Sequence, residues 1–329
     1  RRALRTFYVI GLSDCPYVDS SSADKIVESD ELLALAAEAV DKSIVMLKNV
    51  GGAISDRGGA KPKVYVPMKF ADGAWTLPVT EAVASEVIEI VTDTLGDPTG
   101  PAGEDGNPTY AESDVTRATP EQIAECDLVA CYINNPTAGV GFDAETETYV
   151  PITLQYGEYV ADGPNVRENS IAGDVVNGEK ENRSYVGKST TAANASELTF
   201  VQEMSEASGD VPLVLCVSAD RPMVFSEVEP LADAILIGFN AGGDDYLNLL
   251  AGKTEPSALL PLQMPANMDT VEANQEDVPR DLECYVDSEG NEYDFAFGLN
   301  WSGVIDDERT ATYKVSPISE PETEVNATA

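Results

Sequence analysis

The residues with the clearest capacity for chemistry are glutamates in a long loop over residues 134–194. They are Glu145, Glu147, Glu179 and Glu181. A carboxyl group in such a loop can donate a proton to a ligand or accept one from it. The loop follows an apolar run over residues 128–133, and ligands of α/β sheets gather near the carboxyl ends of strands. With 58 Asp and Glu in the chain, most loop carboxylates are solvated surface groups, so these four are candidates only.

The absence of histidine excludes several kinds of active site. Without His, the chain cannot carry Ser-His-Asp or Cys-His catalysis, or a zinc site that depends on His. Five cysteines are widely spread without a Cys-x-x-Cys pair, and we interpret them as structural thiols: Cys15, Cys126, Cys131, Cys216 and Cys284. We therefore expect no metal site and no organic cofactor.

Acidic residues dominate the charge of the chain. Lys and Arg number 20 against 58 Asp and Glu, which gives a formal net charge of −38 at pH 7. Such a surface repels phosphate groups, so neither nucleic acid nor an anionic membrane is expected as a partner. No run approaches the roughly 18 apolar residues of a membrane span. The sequence opens without Met or a signal peptide and is expected to begin inside a longer protein. Its compartment stays open, with a cytoplasmic location favoured over secretion.

Apolar patterning predicts the elements that must position these residues. Residues 30–49 and 80–95 show the three-and-four spacing of a helix. Strands are predicted at four apolar runs: residues 63–67, 128–133, 213–217 and 234–239. The last three runs are nearly continuous, as in strands covered on both faces, and helical patterns lie between them at 196–207 and 244–251. The pattern predicts an α/β fold, a three-layer αβα sandwich around a mostly parallel sheet.

Two stretches do not fit this alternation of strands and helices. Residues 97–120 are rich in Gly, Pro, Asp and Thr and are predicted to form an extended surface loop. Residues 134–194 show no sustained period, and a loop of that length inside a compact domain is often functional. The acidic end of the chain is predicted to be a flexible tail.

Five segments carry a family resemblance, in the family's own order. Arg1 to Arg5, with Gly11-Leu12 and Pro16 to Asp19, is similar to the last helix of a barrel and the linker that leaves it. Ala37 to Asn49, ending Ser-Ile-Val-Met-Leu-Lys-Asn, looks like the first helix of a second domain. The other segments are Asp233 to Leu236 with Gly242-Gly243, Gly252 to Pro261, and Phe295 to Trp301. Together they resemble glycoside hydrolase family 3, of the β-glucosidase type.

The resemblance implies a place for this chain within a larger enzyme. It looks like the C-terminal αβα sandwich domain of such an enzyme, with the N-terminal barrel missing. Residues 1–25 would be the end of the barrel and the linker, residues 26–307 the sandwich, and residues 308–329 the flexible tail. The implied partners are a carbohydrate, such as a β-glucoside or a related oligosaccharide, and the missing barrel domain.

The resemblance also implies retaining hydrolysis of a terminal β-glycosidic bond. That chemistry uses two carboxyl groups about 5 Å apart, one as nucleophile and one as general acid/base. In the family the nucleophilic Asp lies on the barrel, while in many members the acid/base Glu lies on a loop of the second domain. The acid/base role therefore passes to Glu145, with Glu147, Glu179 and Glu181 as alternatives. The chain alone is expected to be inactive.

The sequence departs from the family pattern near these glutamates. The usual Ser-Gly-Glu-Gly-Tyr type of motif appears as Ala138-Gly139-Val140-Gly141-Phe142, with Val140 where a carboxylate is expected. A second hypothesis follows, that the chain is a non-catalytic structural or carbohydrate-binding domain of the same fold. Arg183 and Tyr149 are candidate substrate-binding residues in either case. Trp75, Tyr156 and Tyr159 are further candidates for stacking on a sugar, with core packing as the alternative.

Overall fold

An eight-stranded sheet forms the centre of the computed structural model, which describes residues 2–313 apart from residues 18, 28, 72, 104, 105, 107, 172, 275–277 and 279. The strands are β1 (Val45–Asn49), β2 (Lys63–Val66), β3 (Glu89–Thr92), β4 (Leu128–Asn134), β5 (Leu213–Ala219), β6 (Ala234–Phe239), β7 (Leu299–Asn300) and β8 (Gly303–Val304). Their order across the sheet is β8-β7-β1-β6-β5-β4-β2-β3.

Most of this sheet is parallel. Strands β3, β2, β4, β5 and β6 are neighbours that run in one direction. Strand β1 pairs antiparallel with β6, and β7 and β8 continue the sheet beyond it in antiparallel pairs. The interior strands β4, β5 and β6 are buried almost throughout. The predicted α/β class and mostly parallel sheet are confirmed.

Nine α-helices accompany the sheet within the described part of the chain. They are α1 (Arg2–Val9), α2 (Ser20–Ile26), α3 (Asp30–Asp41), α4 (Glu81–Val87), α5 (Pro120–Ala124), α6 (Ser196–Ser208), α7 (Leu247–Leu250), α8 (Met268–Ala273) and α9 (Glu308–Tyr313). Short 3-10 helices cover Val50–Gly52, Glu112–Asp114, Glu229–Leu231 and Gly243–Tyr246. Helix α6, and α7 with the 3-10 turn before it, confirm the helices predicted at 196–207 and 244–251.

The helices pack on both faces of the sheet and make three layers. Ala84 of α4 and Leu250 of α7 lie in the core on one face. Ile123 of α5 and Val201 of α6 lie in the core on the other face. Apolar side chains of the parallel strands alternate between these two cores, because successive strand residues point to opposite faces. The αβα sandwich predicted from the sequence is therefore present.

The prediction of two long helices is wrong for the second half of each range, where the structure has a strand. The helix predicted over residues 30–49 ends at Asp41, and β1 follows at Val45–Asn49. The helix predicted over residues 80–95 ends at Val87, and β3 follows at Glu89–Thr92. A short apolar run is compatible with a helix face and with a buried strand, so periodicity alone could not separate them.

Lys48 is buried in β1, whereas the sequence pattern places it at the end of the helix predicted over residues 30–49. Its side chain is 5% exposed, and its Nζ lies 2.6 Å from Oε1 of Glu229. Lys48 Nζ also donates to the Glu229 backbone carbonyl at 3.1 Å. The Glu229 carboxylate also accepts hydrogen bonds from two hydroxyl groups, that of Tyr285 at 2.9 Å and that of Ser288 at 2.8 Å. This buried pair joins the end of β1 to two loops.

The two predicted loops contain little regular structure. Residues 97–120 hold one 3-10 turn and the strand Val115–Thr116, which pairs with Thr94–Leu95. Residues 134–194 hold three two-stranded pairs: Phe142–Asp143 with Thr148–Tyr149, Tyr159–Val160 with Ser189–Thr190, and Val175–Val176 with Glu179–Lys180. A further hairpin, Lys69–Ala71 with Ala74–Thr76, follows β2. We call this last one the edge hairpin.

The helix near the end of the chain packs on the domain, whereas the helices at its start leave apolar side chains exposed. Helix α9 forms within the predicted flexible tail, and the ring of Tyr313 at its end packs on Phe295 with 5.4 Å between the ring centroids. Residues 314–329 of that tail lie outside the described residues. Neither α2 nor α3 buries a side chain, so the apolar face predicted for α3 is exposed. Exposed apolar residues of this region include Leu4, Phe7, Tyr8, Val9, Ile10, Leu32, Leu33 and Leu35.

Most of the cysteines, which we interpret as structural thiols, have buried side chains. Four of the five thiols are buried and Cys15 is exposed. Within the described part of the chain, no helix has both the length and the apolar character needed to cross a bilayer. The same residues bring together no group of three or more His, Cys, Asp or Glu that could hold a metal ion.

Candidate functional site at the carboxyl edge of the sheet

The connections of the sheet define an edge where ligands are expected to bind. Strand β2 leads to β3 through α4 on one face, whereas β4 leads to β5 through α6 on the other face. Because β2 and β4 are neighbours, their chains leave the sheet in opposite directions and open a crevice between them. Such a switch point, at the carboxyl ends of parallel strands, is where open α/β sheets bind ligands.

A cleft of about 690 Å³ occupies this position, and we call it the edge cleft. Its walls come from the edge hairpin, the ends of β4 and β5, the turn after β6 and the start of α6. The Lys69 ammonium in its wall lies 3.1 Å from Oε1 of Glu197. Glu197 also accepts the backbone N–H of Asn134 at 2.6 Å and its side-chain amide at 3.1 Å. The two charges in the wall therefore neutralise each other.

The edge hairpin rests on a buried carboxylate, Asp93. This side chain is fully buried and accepts the Tyr65 hydroxyl at 2.6 Å. It also accepts Nη1 of Arg117 at 2.6 Å and the backbone N–H of Met68, just before the hairpin, at 2.8 Å. Burial, followed by the hydrogen bond to Asp93, raises the pKa of Tyr65 far above its ordinary value. Tyr65 therefore stays a neutral donor to the carboxylate.

Replacement of Asp93 by Asn is expected to lower the free energy of unfolding by about 2–3 kcal/mol. A neutral amide leaves Arg117 without its ion pair and satisfies fewer of the donors around it. Urea unfolding followed by circular dichroism measures the change. Asp97→Asn is the matched control, because Asp97 is exposed in the following loop and should leave the unfolding midpoint unchanged. An Asp93→Asn protein as stable as the wild type would contradict this account of the hairpin.

Trp75 is held in place by its neighbours and is not a free stacking surface. Its Nε1 donates to the backbone carbonyl of Ala111 at 2.9 Å. The Arg117 guanidinium lies 5.1 Å from its ring centroid, and the Phe70 ring lies 5.1 Å away on the hairpin. Two other predicted platforms are buried, since Tyr156 is 0% and Tyr159 is 5% exposed. For these three aromatics the anchoring alternative is the one that the structure supports.

The long loop is tied to the sheet edge at its two ends. The side-chain oxygen of Asn194 accepts the Thr137 N–H at 2.7 Å, and its amide donates to the Asn135 carbonyl at 3.1 Å. In the middle of the loop, the buried Tyr156 donates its hydroxyl to the Asn134 carbonyl. The loop is therefore fixed over the carboxyl end of β4, as a loop that presents functional groups must be.

The predicted catalytic glutamates lie on two exposed hairpins of this loop. Glu145 and Glu147 occupy the turn between Phe142–Asp143 and Thr148–Tyr149, and Glu147 has a positive φ of 51°. Asp143 accepts the Glu145 N–H at 2.9 Å and shapes the turn. Glu179 begins the second strand of the other hairpin. Among the described residues, no side chain forms a hydrogen bond or ion pair with the carboxylates of these three glutamates, so each is available to a ligand or to solvent.

Three other predicted residues converge into one cluster. Oε2 of Glu181 accepts Nε of Arg183 at 2.9 Å, and Oε1 accepts the Tyr149 hydroxyl at 3.2 Å. The Arg183 guanidinium lies 5.7 Å from the Tyr149 ring centroid and reaches Asp174 at 2.9 Å. The Phe142 ring packs edge-on against Tyr149 at 5.3 Å. The cluster thus includes the hairpin that carries Glu145, although no described contact joins the carboxylates of Glu145, Glu147 or Glu179 to it.

The cluster separates Glu181 from the other candidates. The hydrogen bond from Arg183 is the main reason that the pKa of Glu181 is lowered. Burial and the hydrogen bond to Glu181 raise the pKa of Tyr149. Both carboxylate oxygens of Glu181 already accept hydrogen bonds, from Arg183 and from Tyr149, and these favour its ionised form. Glu181 is better suited to holding Arg183 in position.

Sequence reasoning missed the edge cleft and the carboxylate beneath it. Lys69, Asp93 and Glu197 belong to three separate segments, and only the order of strands brings them to one edge. The available signals were the position of Lys69 just beyond a predicted strand and of Glu197 at the start of a predicted helix, whereas Asp93 lies inside the helix predicted over residues 80–95. Val140, which replaces the family's expected carboxylate, is 86% exposed.

The chain is similar to curated β-glucosidases over most of its length. It is 24% identical to the probable β-glucosidase C of Aspergillus flavus over 302 residues, which are 92% of this chain and 34% of that protein. It is 32% identical to the β-glucosidase C of Emericella nidulans over 107 residues, 32% of this chain and 16% of that protein. A periplasmic β-glucosidase/β-xylosidase of Dickeya chrysanthemi is 22% identical over 280 residues, 85% of this chain and 31% of that protein. No protein-family model matches the chain.

Solved structures show the same likeness at the level of the fold. The β-glucosidase of Listeria innocua in complex with isofagomine superposes with a TM-score of 0.50 at 16% identity, covering 91% of this chain and 38% of that chain. The chain spans about a third of the length of the curated relatives that match most of it. The predicted resemblance to β-glucosidases is therefore confirmed, and the chain corresponds to one part of such enzymes.

Proposed function

We propose that this chain is the C-terminal αβα domain of a family 3 glycoside hydrolase that cleaves terminal β-glycosidic bonds with retention. The observation that carries the proposal is that 92% of the chain aligns with only 34% of a β-glucosidase. In this proposal residues 26–307 form the sandwich, and the nucleophile lies on a barrel domain outside the chain. The substrate is a β-glucoside or a related oligosaccharide.

Glu145 is the first candidate for the general acid/base. Its carboxylate stands on an exposed hairpin of the loop that is tied to the carboxyl edge, and it has no hydrogen-bond or ion-pair partner among the described residues. In a retaining mechanism this carboxyl group protonates the leaving oxygen and then takes a proton from the attacking water. Glu147 and Glu179 are the alternatives, because their carboxylates are equally free.

Arg183 and Tyr149 are proposed to contact the substrate from the same loop. The Arg183 guanidinium has further N–H groups beyond those that bond Glu181 and Asp174. Those groups can donate to a sugar hydroxyl, while Glu181 keeps the guanidinium in place. The Tyr149 hydroxyl is held by Glu181, which orients its ring beside Arg183.

The exposed helices at the start of the chain support a further domain beside this one. Apolar side chains of α1 and α3 are about half exposed or more, for example Phe7 at 50%, Val9 at 73% and Leu35 at 60%. A surface of that kind is characteristic of a contact with another protein or domain. We assign it to the barrel that would precede the sandwich.

One observation favours the alternative of a non-catalytic domain. Val140 occupies the place of the expected carboxylate in Ala138 to Phe142 and is exposed. A domain of the same fold without a proton donor would stabilise the barrel or bind carbohydrate. Replacing the loop glutamates would lower hydrolysis if the domain supplies the proton donor, and would leave it unchanged if the domain is non-catalytic.

The test compares hydrolysis of an aryl β-glucoside by this chain and by the longer protein that carries the preceding residues. We expect no turnover by the chain alone and turnover by the longer protein, because two carboxyl groups on separate domains are needed. A deletion that removes residues 26–329 from the longer protein should abolish turnover. Hydrolysis by the chain alone, or none by the longer protein on any aryl β-glycoside, would refute the proposal.

A further inference from the structure

We propose that the edge cleft is a second binding site in this domain, for a neutral saccharide. None of its lining residues comes from the hairpins that carry Glu145, Glu147 and Glu179. It is therefore distinct from the proposed acid/base position. The ligand class rests on the proposed function, whereas the site itself rests on the geometry of the sheet edge.

The charge of the cleft favours a neutral ligand. Lys69 and Glu197 are the charged side chains in its wall, and they pair with each other at 3.1 Å. No uncompensated cation is left in the described wall to bind a phosphate or carboxylate. The chain's net charge of −38 repels anions further.

The polarity of the cleft favours a ligand with many hydroxyl groups. The cleft is lined by the polar residues Asn134, Thr137, Asn194 and Ser218 together with the aromatic residue Phe70. Binding sites with a few placed polar groups beside an aromatic surface suit small organic ligands, and a sugar has both hydroxyls and an apolar face. A volume of about 690 Å³ has room for more than one sugar ring.

One polar group in the wall lacks a strong partner. The Tyr132 side chain is 6% exposed, and its hydroxyl makes no hydrogen bond to nitrogen or oxygen within the described residues. Its polar neighbour is the thiol of Cys216, which also lines the cleft and is a weak acceptor. Buried hydroxyls are nearly always hydrogen-bonded, so a small shift of the Tyr132 ring that opens its hydroxyl to the cleft would give this group a partner in a sugar hydroxyl.

Titration of the chain with cellobiose tests the proposal. The sequence has two tryptophans, Trp75 and Trp301, and Trp301→Phe leaves Trp75, which packs on the cleft residue Phe70, as the reporter. The buried Trp301 Nε1 has no partner among the described residues, so this replacement loses no hydrogen bond. We expect saturable fluorescence change and calorimetric heat with a Kd of about 1 mM, and none with inorganic phosphate.

Two variants and a matched control locate the binding. Ala193 lines the cleft and is exposed, so Ala193→Leu should weaken cellobiose binding at least about tenfold by filling it. Ala207→Leu, the same change at an exposed alanine near the far end of α6, should leave binding unchanged. Tyr132→Phe should weaken binding about fivefold without lowering the unfolding midpoint, because the hydroxyl has no strong partner in the free chain.

The outcomes separate this proposal from the proposed function. No saturable binding of cellobiose, or equal binding by Ala193→Leu and wild type, overturns the second site. If the longer protein still hydrolyses an aryl β-glucoside in that case, the proposed function stands without it. If the chain binds cellobiose and the longer protein hydrolyses nothing, the cleft stands as a saccharide site of a non-catalytic domain.

Discussion

Replacement of Lys48 by Met is expected to lower the free energy of unfolding by about 3–5 kcal/mol. The Lys48 and Glu229 side chains are 5% and 1% exposed, and their charged atoms lie 2.6 Å apart. Removal of the ammonium leaves a buried carboxylate with only the hydroxyls of Tyr285 and Ser288 and one backbone N–H as partners. Removing one partner of a buried ion pair lowers the free energy of unfolding far more than replacing both partners does, because an unpaired charge stays buried.

Urea unfolding of wild type and Lys48→Met measures this effect. Lys42→Met is the matched control, because Lys42 pairs with Glu38 on the surface, where both side chains are 58% exposed. Its unfolding midpoint should equal that of the wild type. A Lys48→Met midpoint close to the wild-type value would show that β1 does not depend on the buried pair.

The effect of Lys48→Met should also depend on pH. Burial alone would raise the pKa of Glu229, but hydrogen bonds from Lys48, Ser288 and Tyr285 outweigh it, and the pKa is lowered below 4.5. A carboxyl whose folded pKa is lowered stabilises the fold above its unfolded pKa and loses that contribution as the pH falls through the folded value. The difference between the two proteins should therefore be full at pH 7 and shrink below about pH 4.5.

Replacement of Glu145 by Ala in the longer protein is expected to lower kcat on an aryl β-glucoside by about 10²–10⁴-fold. With a good leaving group the first step needs little acid assistance, so the loss falls mainly on the second step, where water must be deprotonated. KM should fall together with kcat, because the glycosyl-enzyme intermediate accumulates. Steady-state kinetics on one aryl glucoside measure both constants.

Glu158→Ala is the matched control for this variant. Glu158 is an exposed glutamate of the same loop, outside the hairpins that carry the candidates. Its replacement should leave kcat unchanged. Parallel Glu147→Ala and Glu179→Ala variants complete the set, and an effect of the expected size on one of these, in place of Glu145, would move the assignment to that residue.

The sheet was predictable because its central strands are buried on both faces. Runs such as Leu213 to Val217 are continuous in apolar residues, and no surface helix or loop tolerates such a run. The start of β1 was not predictable in the same way. Ile44 and Leu47 fit the helical period of the residues before them. The segment forms a strand because it pairs with β6, a contact between distant parts of the chain.

The site was predictable only as a loop. Its length and position after β4 indicate a functional segment over residues 134–194, and the predicted candidates within it are Glu145, Glu147, Glu179, Glu181, Arg183, Tyr149, Tyr156 and Tyr159. The convergence of Tyr149 with Glu181 and Arg183 depends on how the hairpins fold back on each other, which no local pattern encodes. The pairing of Lys69 with Glu197 depends on strand order for the same reason.

Azide rescue of the Glu145→Ala longer protein tests the central claim most directly, that this domain supplies the acid/base carboxyl. Azide needs no general base, so it should attack the glycosyl-enzyme in place of water, restore kcat on an aryl β-glucoside, and yield the β-glycosyl azide, which NMR identifies. If Glu145→Ala, Glu147→Ala and Glu179→Ala all hydrolyse the substrate at the wild-type rate and none forms a glycosyl azide, the domain does not donate the proton, and the claim is wrong.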